Sequence, residues 1–286
     1  MLEALKTSEA DITLDKKFEH LKNILKDMSS VLVAFSGGVD STFLLKAAAM
    51  TLGAKAAALT ATSPTYLESE LAEAKALAAS FGVKHFIVDS NELLIENFAE
   101  NPVNRCYYCK TELFSICKDM AGKNGMAFVA DGTNMDDLGD VRPGRQAAGE
   151  KGVRSPLVEA VLSKTEIREL SRRLGLPTWD KPSLACLSSR FPYGTKITEE
   201  RLDVIKAAEG FLKSLGLIEL RVRFHGDTAR IETNPDGMGL LTGSDKTRLA
   251  AVEKLKSLGF TYVTIDLQGY RTGSMNEPLK VKNAKP

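Results

Sequence analysis

The feature that most constrains this chain of 286 residues is a short apolar run that leads into a glycine-rich turn and then a helical pattern. The run is Val31–Phe35, the turn is Ser-Gly-Gly-Val-Asp-Ser at 36–41, and the helical pattern extends to about Leu52. Two glycines permit positive φ angles and let backbone N–H groups approach a ligand, and a helix N-terminus attracts anions. Neither the Walker A nor the G-x-G-x-x-G spacing is present. A plain strand-to-helix turn stays possible, but the whole motif favours a pyrophosphate site.

Strand-like apolar runs alternate with helical patterns through residue 131. After the first run, the predicted strands are AAALTA, HFIVD and AFVAD, and the predicted helices are Leu14–Met28, Tyr66–Phe81 and Lys110–Lys123. This alternation predicts an α/β fold with a doubly wound parallel sheet. Ligands bind at the carboxyl ends of the strands in such sheets. The polar segments SGGVDS, TATSPTY and DGTNMDD, which follow three of the strands, are therefore expected to line one site.

The pattern changes after Gly194, where a helix, a hairpin, a further helix and a strand follow in that order. This order predicts a smaller C-terminal α+β domain. The predicted division is therefore an α/β domain over 1–180, a linker over 181–195 that carries Cys186, and the α+β domain over 196–286.

Composition and charge exclude several classes of protein. The formal net charge is +1, so there is no general electrostatic attraction to nucleic acid or to an anionic membrane. The first twenty residues contain acids and lysines where a signal peptide needs an apolar segment, and no run is long enough to span a membrane. Four cysteines in a chain of this length do not resemble a secreted disulfide framework. We expect a cytoplasmic protein.

Cys106 and Cys109 form a C-x-x-C pair directly before a predicted helix. A redox disulfide, half of a zinc site and two ligands of an iron–sulfur cluster are all compatible with this spacing. Zinc would require a second pair of ligands, and the chain has only three histidines, none of them in a ligand pair. Together with Cys186, the pair supplies three thiolates, enough for a [4Fe-4S] cluster with one iron left open. Cys117 lies at helical spacing from Phe114 and is predicted to face the core.

Cys186 is a candidate nucleophile, because a thiolate reacts near neutral pH when its pKa is lowered. A small buried hydrophobic residue is the alternative, but the polar, proline-flanked segment with Ser188, Ser189 and Arg190 favours the functional interpretation. The strand LRVRFHG alternates apolar residues with Arg221 and Arg223, which predicts a half-buried strand with one cationic face. That face is either solvated or a site for an anionic substrate.

The motif SGGVDS resembles the signature of the PP-loop ATP pyrophosphatases, which split ATP into AMP and pyrophosphate by adenylating an acceptor. The resemblance implies an adenine nucleotide alpha hydrolase-like sheet. It also implies that the motif cradles the β- and γ-phosphates, with Mg²⁺ at Asp40, while residues after two other strands flank the nucleotide. The residues that this assigns to ATP are Ser36, Gly37, Gly38, Asp40, Ser41, Thr60, Ser63, Asp131, Thr133 and Asn134.

The segments KPSLACLSSRFPYGTKIT, DGTNMDD, RPGRQAA, RVRFHGDTARIE and QGYRTGSMNE narrow the resemblance to the LarE family of PP-loop sulfur transferases. The family adenylates a carboxylate of pyridinium-3,5-biscarboxylic acid mononucleotide and converts it to a thiocarboxylate, for the nickel-pincer nucleotide of lactate racemase. One branch gives up the sulfur of a single cysteine, here Cys186, and leaves dehydroalanine. The other branch holds a [4Fe-4S] cluster on three cysteines, and Cys106, Cys109 and Cys186 resemble that branch.

The resemblance also implies that Arg221 and Arg223, and more weakly Arg190, lie near the substrate phosphate, and that the protein forms a homo-oligomer. Two other functions remain possible from the sequence. A PP-loop tRNA thiolase with a [4Fe-4S] cluster would use the same ATP chemistry on a nucleobase, but it should carry a basic patch. A non-enzymatic ATP-binding module would keep the loop without the reaction. We expect no nucleic-acid partner.

Overall fold

Four parallel strands organise the first of two compact units in the computed structural model, which describes residues 9–66, 68–139, 143–182, 186–271 and 273–277. The first unit comprises Met1–Ser63, Leu67–Ser90 and Cys106–Leu184, and the second comprises Pro64–Tyr66, Asn91–Arg105 and Ala185–Pro286. The strands are β1 (Val31–Ala34), β2 (Ala56–Thr62), β3 (Lys84–Asp89) and β4 (Phe128–Ala130). Their order in the sheet is β3-β2-β1-β4, which confirms the predicted parallel sheet.

Helices cover both faces of this sheet. They are α1 (Glu9–Met28), α2 (Val39–Leu52), α3 (Glu68–Ser80), α4 (Arg105–Lys123), α5 (Pro143–Glu150), α6 (Pro156–Glu159) and α7 (Lys164–Arg173). Along β1, Val31 and Val33 belong to one apolar cluster and Leu32 to the cluster on the opposite face. A strand buried on both faces has no polar positions, which explains why β1 is a continuous apolar run.

Helix α4 begins five residues earlier than predicted, at Arg105 and not at Lys110. Tyr107 packs against the same apolar cluster as Phe114, and this contact extends the helix toward its N-terminus. Cys106 and Cys109 consequently lie in the first turns of α4 and not before it. Cys117 is fully buried in that cluster, as predicted, and burial raises the pKa of its thiol to about 12.

The second unit contains a three-stranded mixed sheet in the order β5-β6-β7. Its strands are β5 (Leu220–His225), β6 (Thr228–Thr233) and β7 (Tyr262–Ile265), and its helices are α8 (Glu199–Ser214), α9 (Pro235–Gly243) and α10 (Asp245–Ser257). The predicted hairpin is confirmed, because β5 and β6 pair antiparallel across a turn in which Gly226 has a φ of 65°. The prediction that β5 is only half-buried is wrong, because the face that carries its arginines is covered as well. Arg221 and Arg223 are 4% and 1% exposed, since buried carboxylates and rings cover that face.

Among the described residues, no helix combines the length and the apolar composition that crossing a membrane requires.

The end of α6 is strained at Val161, which has a φ of 54°. The N–H of Val161 bonds to the carbonyl of Val158, and the N–H of Leu162 bonds to the carbonyl of Leu157, at 2.9 Å in both cases. This is the Schellman arrangement, in which glycine normally occupies the left-handed position. A β-branched side chain at this φ is a conformational outlier, and Val161 is 51% exposed, so its side chain contributes little burial.

We therefore expect Val161→Gly to raise the free energy of unfolding by about 1 kcal/mol, because glycine removes the left-handed penalty. The melting temperature should rise by about 2 °C in a thermal unfolding experiment. Val158→Gly, inside the same short helix, serves as the control and should destabilise the protein by about 0.5–1 kcal/mol. An unchanged or lower melting temperature for Val161→Gly would contradict the assignment of strain.

Candidate active site

The loop Ser36–Ser41 leads from the end of β1 into the first turn of α2 and includes that turn. It lies at the carboxyl end of the parallel sheet. Gly37 has a φ of 70°, and a Cβ there would lie 3.3 Å from the Cβ of Ala74. The hydroxyls of Ser36 and Ser41 are 3.1 Å apart and hydrogen bonded, so the two ends of the loop are tied together. No side chain caps the N-terminus of α2 at Gly38. The positive end of the helix dipole at this position favours the binding of an anion.

The segment after β4 lies directly against the first turn of α2. A Cβ at Gly132 would be 2.9 Å from the backbone nitrogen of Ser41, so only glycine permits this approach. Asn134 donates from Nδ2 to Oδ1 of Asp40 at 3.2 Å. The structure therefore brings together two of the segments that the sequence assigned to one site.

Asp131 and Thr133 are hydrogen bonded to each other within this segment. The hydroxyl of Thr133 donates to Oδ2 of Asp131 at 2.7 Å, and the hydroxyl of Ser155 donates to Oδ1 at 2.7 Å. Asp131 is 8% exposed, so its carboxylate is held by protein donors. These two side chains hold the turn that carries Gly132 and Asn134 in place, and contact between them and a nucleotide stays a prediction.

Thr60, in β2, is hydrogen bonded to the residue after β1 and to a residue near the beginning of β3. Its hydroxyl donates to the carbonyl of Phe35 at 2.7 Å, and its oxygen is 2.8 Å from Nε2 of His85. Because the hydroxyl proton is used, Nε2 of His85 must donate to Thr60. Burial, and then the charge of Lys75, lower the pKa of His85. The hydroxyl of Thr60 is therefore engaged within the sheet, while Ser63 follows β2 by one residue.

Two lysines that sequence reasoning missed reach the same loop. Lys164, the first residue of α7, forms a salt bridge from Nζ to Oδ2 of Asp40 at 2.6 Å. Lys181 donates from Nζ to the carbonyl of Gly37 at 3.4 Å and also pairs with Glu73. The sequence contained one local signal for Lys164. The capping box of Ser163 and Glu166 marks the beginning of α7, but it does not reveal what the helix faces.

In the second unit, the three predicted arginines have different environments. Arg190 is buried and donates from Nε and Nη2 to the two carboxylate oxygens of Glu209, at 2.8 and 3.0 Å. Burial disfavours the charge of Arg190, but the carboxylate of Glu209 outweighs that effect, so the pKa of Arg190 lies above its ordinary value. Arg190 also donates to the carbonyl of Cys186 at 3.3 Å, which places it beside that residue.

Arg223 is held by a buried network. Its Nη2 donates to Glu232 at 2.7 Å and to the hydroxyl of Ser274 at 2.8 Å, and its Nη1 donates to the carbonyl of Ser189 at 2.8 Å. The hydroxyl of Ser274 lies 2.9 Å from Oε1 of Glu232. Glu232 is completely buried. Its carboxylate therefore balances the charge of Arg223 in an environment from which water is excluded.

Arg221 has no such partner. Within the described residues, its guanidinium forms neither a hydrogen bond nor a salt bridge, and it lies 4.8 Å from the ring centre of Tyr270. Burial is the main cause that lowers the pKa of Arg221. The positive charges of Arg190 and Arg223 lower it further, and Tyr270 and Glu209 offset part of this effect. A buried arginine without a counter-anion is energetically unfavourable and is a candidate to receive an anion.

None of the four cysteines is in a disulfide bond. Cys106 and Cys186 are exposed, and Cys109 is partly buried. Across the ranges that the structure describes, no group of three or more His, Cys, Asp or Glu residues is arranged to hold a metal ion. Residues 183–185, directly before Cys186, lie outside the described residues. The structure therefore gives no support to the predicted iron–sulfur ligand set.

A buried hydrogen-bond network joins the chain segments that precede Cys106 and follow Cys186. Arg105 donates from Nη1 to the carbonyl of Ser188 at 2.9 Å and to the side-chain oxygen of Asn101. Asn101, which is fully buried with a φ of 54°, donates from Nδ2 to the carbonyls of Phe191 and Pro192 at 3.2 and 2.8 Å. Sequence reasoning missed both residues, because nothing local marks a long-range backbone contact.

No protein-family model matches the chain, so its similarity to known proteins is given by individual relatives. An uncharacterized protein of Synechocystis sp., slr1717, is 46% identical over 266 residues, which cover 93% of this chain and 99% of that protein. The pyridinium-3,5-bisthiocarboxylic acid mononucleotide synthase of Lactiplantibacillus plantarum is 41% identical over 269 residues, 93% of this chain and 96% of the synthase. The uncharacterized protein MJ0830 of Methanocaldococcus jannaschii is 29% identical over 261 residues, 90% of this chain and 98% of that protein.

The parallel sheet, the helices on both of its faces and the glycine-rich loop before α2 define a PP-loop-like α/β protein. Within this class, the 41% identity to the Lactiplantibacillus plantarum synthase over 93% of the chain identifies the family. The chain belongs to the LarE family of sulfurtransferases and is an enzyme.

Proposed function

We propose that this enzyme is an ATP-dependent sulfurtransferase that acts on pyridinium-3,5-biscarboxylic acid mononucleotide. It adenylates a carboxylate of that substrate and converts it to a thiocarboxylate, in the biosynthesis of the nickel-pincer nucleotide. The name of the Lactiplantibacillus plantarum relative supports the product class. The observation that supports the ATP-dependent adenylation step is the N-terminus of α2 at the carboxyl end of the parallel sheet. No side chain caps it, and Asp40 lies in its first turn.

In the adenylation step, a substrate carboxylate oxygen attacks the α-phosphorus of ATP, and pyrophosphate leaves. The loop Ser36–Ser41 supplies backbone donors and hydroxyls to the phosphates, and the carboxylate of Asp40 is the hard oxygen ligand that Mg²⁺ requires. Asn134 orients that carboxylate through its hydrogen bond to Oδ1. A magnesium ion held there would neutralise the charge that develops on the leaving pyrophosphate.

Arg221 is the residue that we assign to the phosphate of the substrate. The other two arginines are occupied by Glu209 and Glu232, whereas Arg221 has no anionic partner in the part of the chain that the structure describes. A phosphate dianion would supply the missing counter-charge in a buried environment. Arg190 and Arg223 then hold the neighbouring backbone through the carbonyls of Cys186 and Ser189.

Sulfur delivery requires a nucleophile at the acyl carbon of the adenylate, with AMP as the leaving group. Cys186 is exposed, and Arg190 donates a hydrogen bond to its backbone carbonyl at 3.3 Å, so this cysteine is accessible and its backbone is held in place. The three thiols of Cys106, Cys109 and Cys186 are in number and chemistry a donor set that suits a [4Fe-4S] cluster, which when bound would carry the sulfide to be transferred. The alternative source is the sulfur of Cys186 itself.

Two variants with opposite expected effects test the proposal in anaerobically reconstituted protein. Asp40→Ala should abolish pyrophosphate release on addition of ATP and the pyridinium mononucleotide, and should leave the iron content at about four per chain. Cys106→Ala should lose the iron and the thiocarboxylate product, and should leave pyrophosphate release intact. The measurements are iron and acid-labile sulfide content, pyrophosphate release, and the mass of the product.

The outcomes separate the two sulfur sources. Absence of iron under every reconstitution condition, with conversion of Cys186 to dehydroalanine, would replace the cluster with sacrificial transfer. Pyrophosphate release at the wild-type rate by Asp40→Ala would overturn the assignment of the loop. Absence of pyrophosphate release in the wild-type protein would overturn the adenylation itself.

A further inference from the structure

Cys186 lies at the beginning of a short 3₁₀ turn, Leu187–Arg190, in the second unit. Within the turn, the backbone nitrogen of Ser189 donates to the carbonyl of Cys186 at 3.0 Å, and that of Phe191 donates to the carbonyl of Ser188 at 3.3 Å. The hydrogen-bond geometry of a 3₁₀ turn is poor, so a turn this short depends on contacts with the rest of the fold. The conformation that presents the exposed Cys186 must therefore be fixed by residues outside the turn.

Two buried side chains in the same unit hold the carbonyls of this segment. Arg105 donates from Nη1 to the carbonyl of Ser188, and Asn101 donates from Nδ2 to the carbonyls of Phe191 and Pro192. Arg105 also donates to the side-chain oxygen of Asn101, so the two side chains are joined to each other. Three carbonyls that follow Cys186 in the chain are thus fixed by one pair of residues.

Both residues of the pair are in energetically unfavourable states. Asn101 has a φ of 54°, in the left-handed region that residues other than glycine rarely adopt. Arg105 is 5% exposed, and within the described residues its printed partners are an amide oxygen and a carbonyl, with no carboxylate among them. A buried cation without a carboxylate costs free energy. Such costs are expected where a function depends on the geometry that they maintain.

We propose that Asn101 and Arg105 are positioning residues for sulfur delivery, which hold the turn so that the thiol of Cys186 keeps a fixed position. They act through the backbone of residues 188–192. A fixed group reacts faster, because its orientation is set before the reaction begins. The inference rests on the proposed function, in which Cys186 takes part in sulfur delivery, and it applies whether Cys186 is a cluster ligand or the sulfur donor.

Asn101→Gly tests the side chain separately from the backbone conformation. Glycine adopts a φ of 54° freely, so the bond from the N–H of Gly194 to the carbonyl of residue 101, 2.9 Å long, can remain. In single-turnover reactions with ATP and the pyridinium mononucleotide, thiocarboxylate formation should fall by about 100-fold, since a displacement of about 1 Å at a reacting group suffices for such a loss. The burst of pyrophosphate should keep its rate and amplitude. A pyrophosphate assay and the mass of the product give the two rates.

Replacement of Arg105 should separate the two partial reactions in the same way. Arg105→Met should slow thiocarboxylate formation and leave the pyrophosphate burst unchanged. Arg105→Lys should recover part of the product formation, because an ammonium group can still donate to the carbonyl of Ser188. A general loss of folded protein would lower pyrophosphate and thiocarboxylate to the same extent, so the separation distinguishes positioning from support of the fold.

Thr233→Val is the matched control. Thr233 is buried in the same unit, and its hydroxyl donates to the carbonyl of Glu219 at 2.7 Å. The variant therefore removes a hydrogen bond from a buried side chain to a distant carbonyl that lies outside the turn. Both partial reactions should proceed at the wild-type rate.

The outcomes distinguish the inference from the proposed function. Thiocarboxylate formation at the wild-type rate in either Asn101→Gly or Arg105→Met, or an equal fall of both partial reactions, would overturn the positioning role. Cys186→Ala, tested beside them, should form no thiocarboxylate. Product formation by Cys186→Ala, or absence of pyrophosphate release in the wild-type protein, would instead overturn the proposed function.

Discussion

Replacement of Gly132 by alanine is expected to reduce ATP-dependent pyrophosphate release by about 100-fold or more, because it misplaces groups at the reacting centre. The added Cβ would lie 2.9 Å from the nitrogen and 3.2 Å from the Cα of Ser41, both backbone atoms of the first turn of α2. Backbone in a helix cannot yield as the end of a flexible side chain does. The segment carrying Asn134 must therefore move away from Asp40. The strain should also destabilise the protein by about 1–3 kcal/mol.

Gly122→Ala is the control for this prediction. Gly122 lies in α4, where a Cβ would meet no atom within 4 Å. Alanine there should stabilise the helix by about 0.5–1 kcal/mol and leave pyrophosphate release unchanged. Calorimetric ATP binding and a pyrophosphate release assay measure the functional effect, and thermal unfolding measures the stability. Wild-type release by Gly132→Ala would show that the close approach to Ser41 does not matter for the site.

Replacement of Arg221 by methionine is expected to change function and stability in opposite directions. Affinity for the pyridinium mononucleotide should fall by about 100-fold, which corresponds to two charge-assisted hydrogen bonds of about 1.5 kcal/mol each. The free energy of unfolding should rise by about 1 kcal/mol, because a buried charge without a counter-anion is removed. The lowered pKa of Arg221 has the same cause, since burial disfavours its charged form.

Arg223→Met provides the contrast on the same strand. Its loss would remove the closest cation from the completely buried carboxylate of Glu232 and leave Arg230 as its partner, so the protein should be destabilised by about 1.5–3 kcal/mol. Substrate binding by calorimetry and chemical unfolding in the absence of substrate measure the two effects. A destabilised Arg221→Met variant, or one with unchanged substrate affinity, would contradict the assignment of Arg221 as the anion-binding arginine.

Local patterns predicted much of the fold and part of the site. The apolar run before Ser36 identified a strand buried on both faces, and the helix after it ends at Leu52 as expected. The beginning of α4 was missed, because the helix extends to Arg105 where Tyr107 packs against the core, and that contact is not visible in the local sequence. Alternation along β5 predicted a half-buried strand with one cationic face, either solvated or a site for an anionic substrate. The pattern could not reveal the carboxylates of Glu209 and Glu232, which pair with Arg190 and Arg223.

The sequence by itself determined the strand, loop and helix of the candidate phosphate site and the family of the enzyme. The residues of that loop are contiguous, and their conformational requirements are local. Only the tertiary structure decided which charges meet. Lys164 and Asp40 are separated by 124 residues, and nothing near either one specifies the other. An ion pair depends on which segments the sheet topology brings within a few ångströms, so the separate environments of Arg221 and Arg223 emerge only from the folded chain.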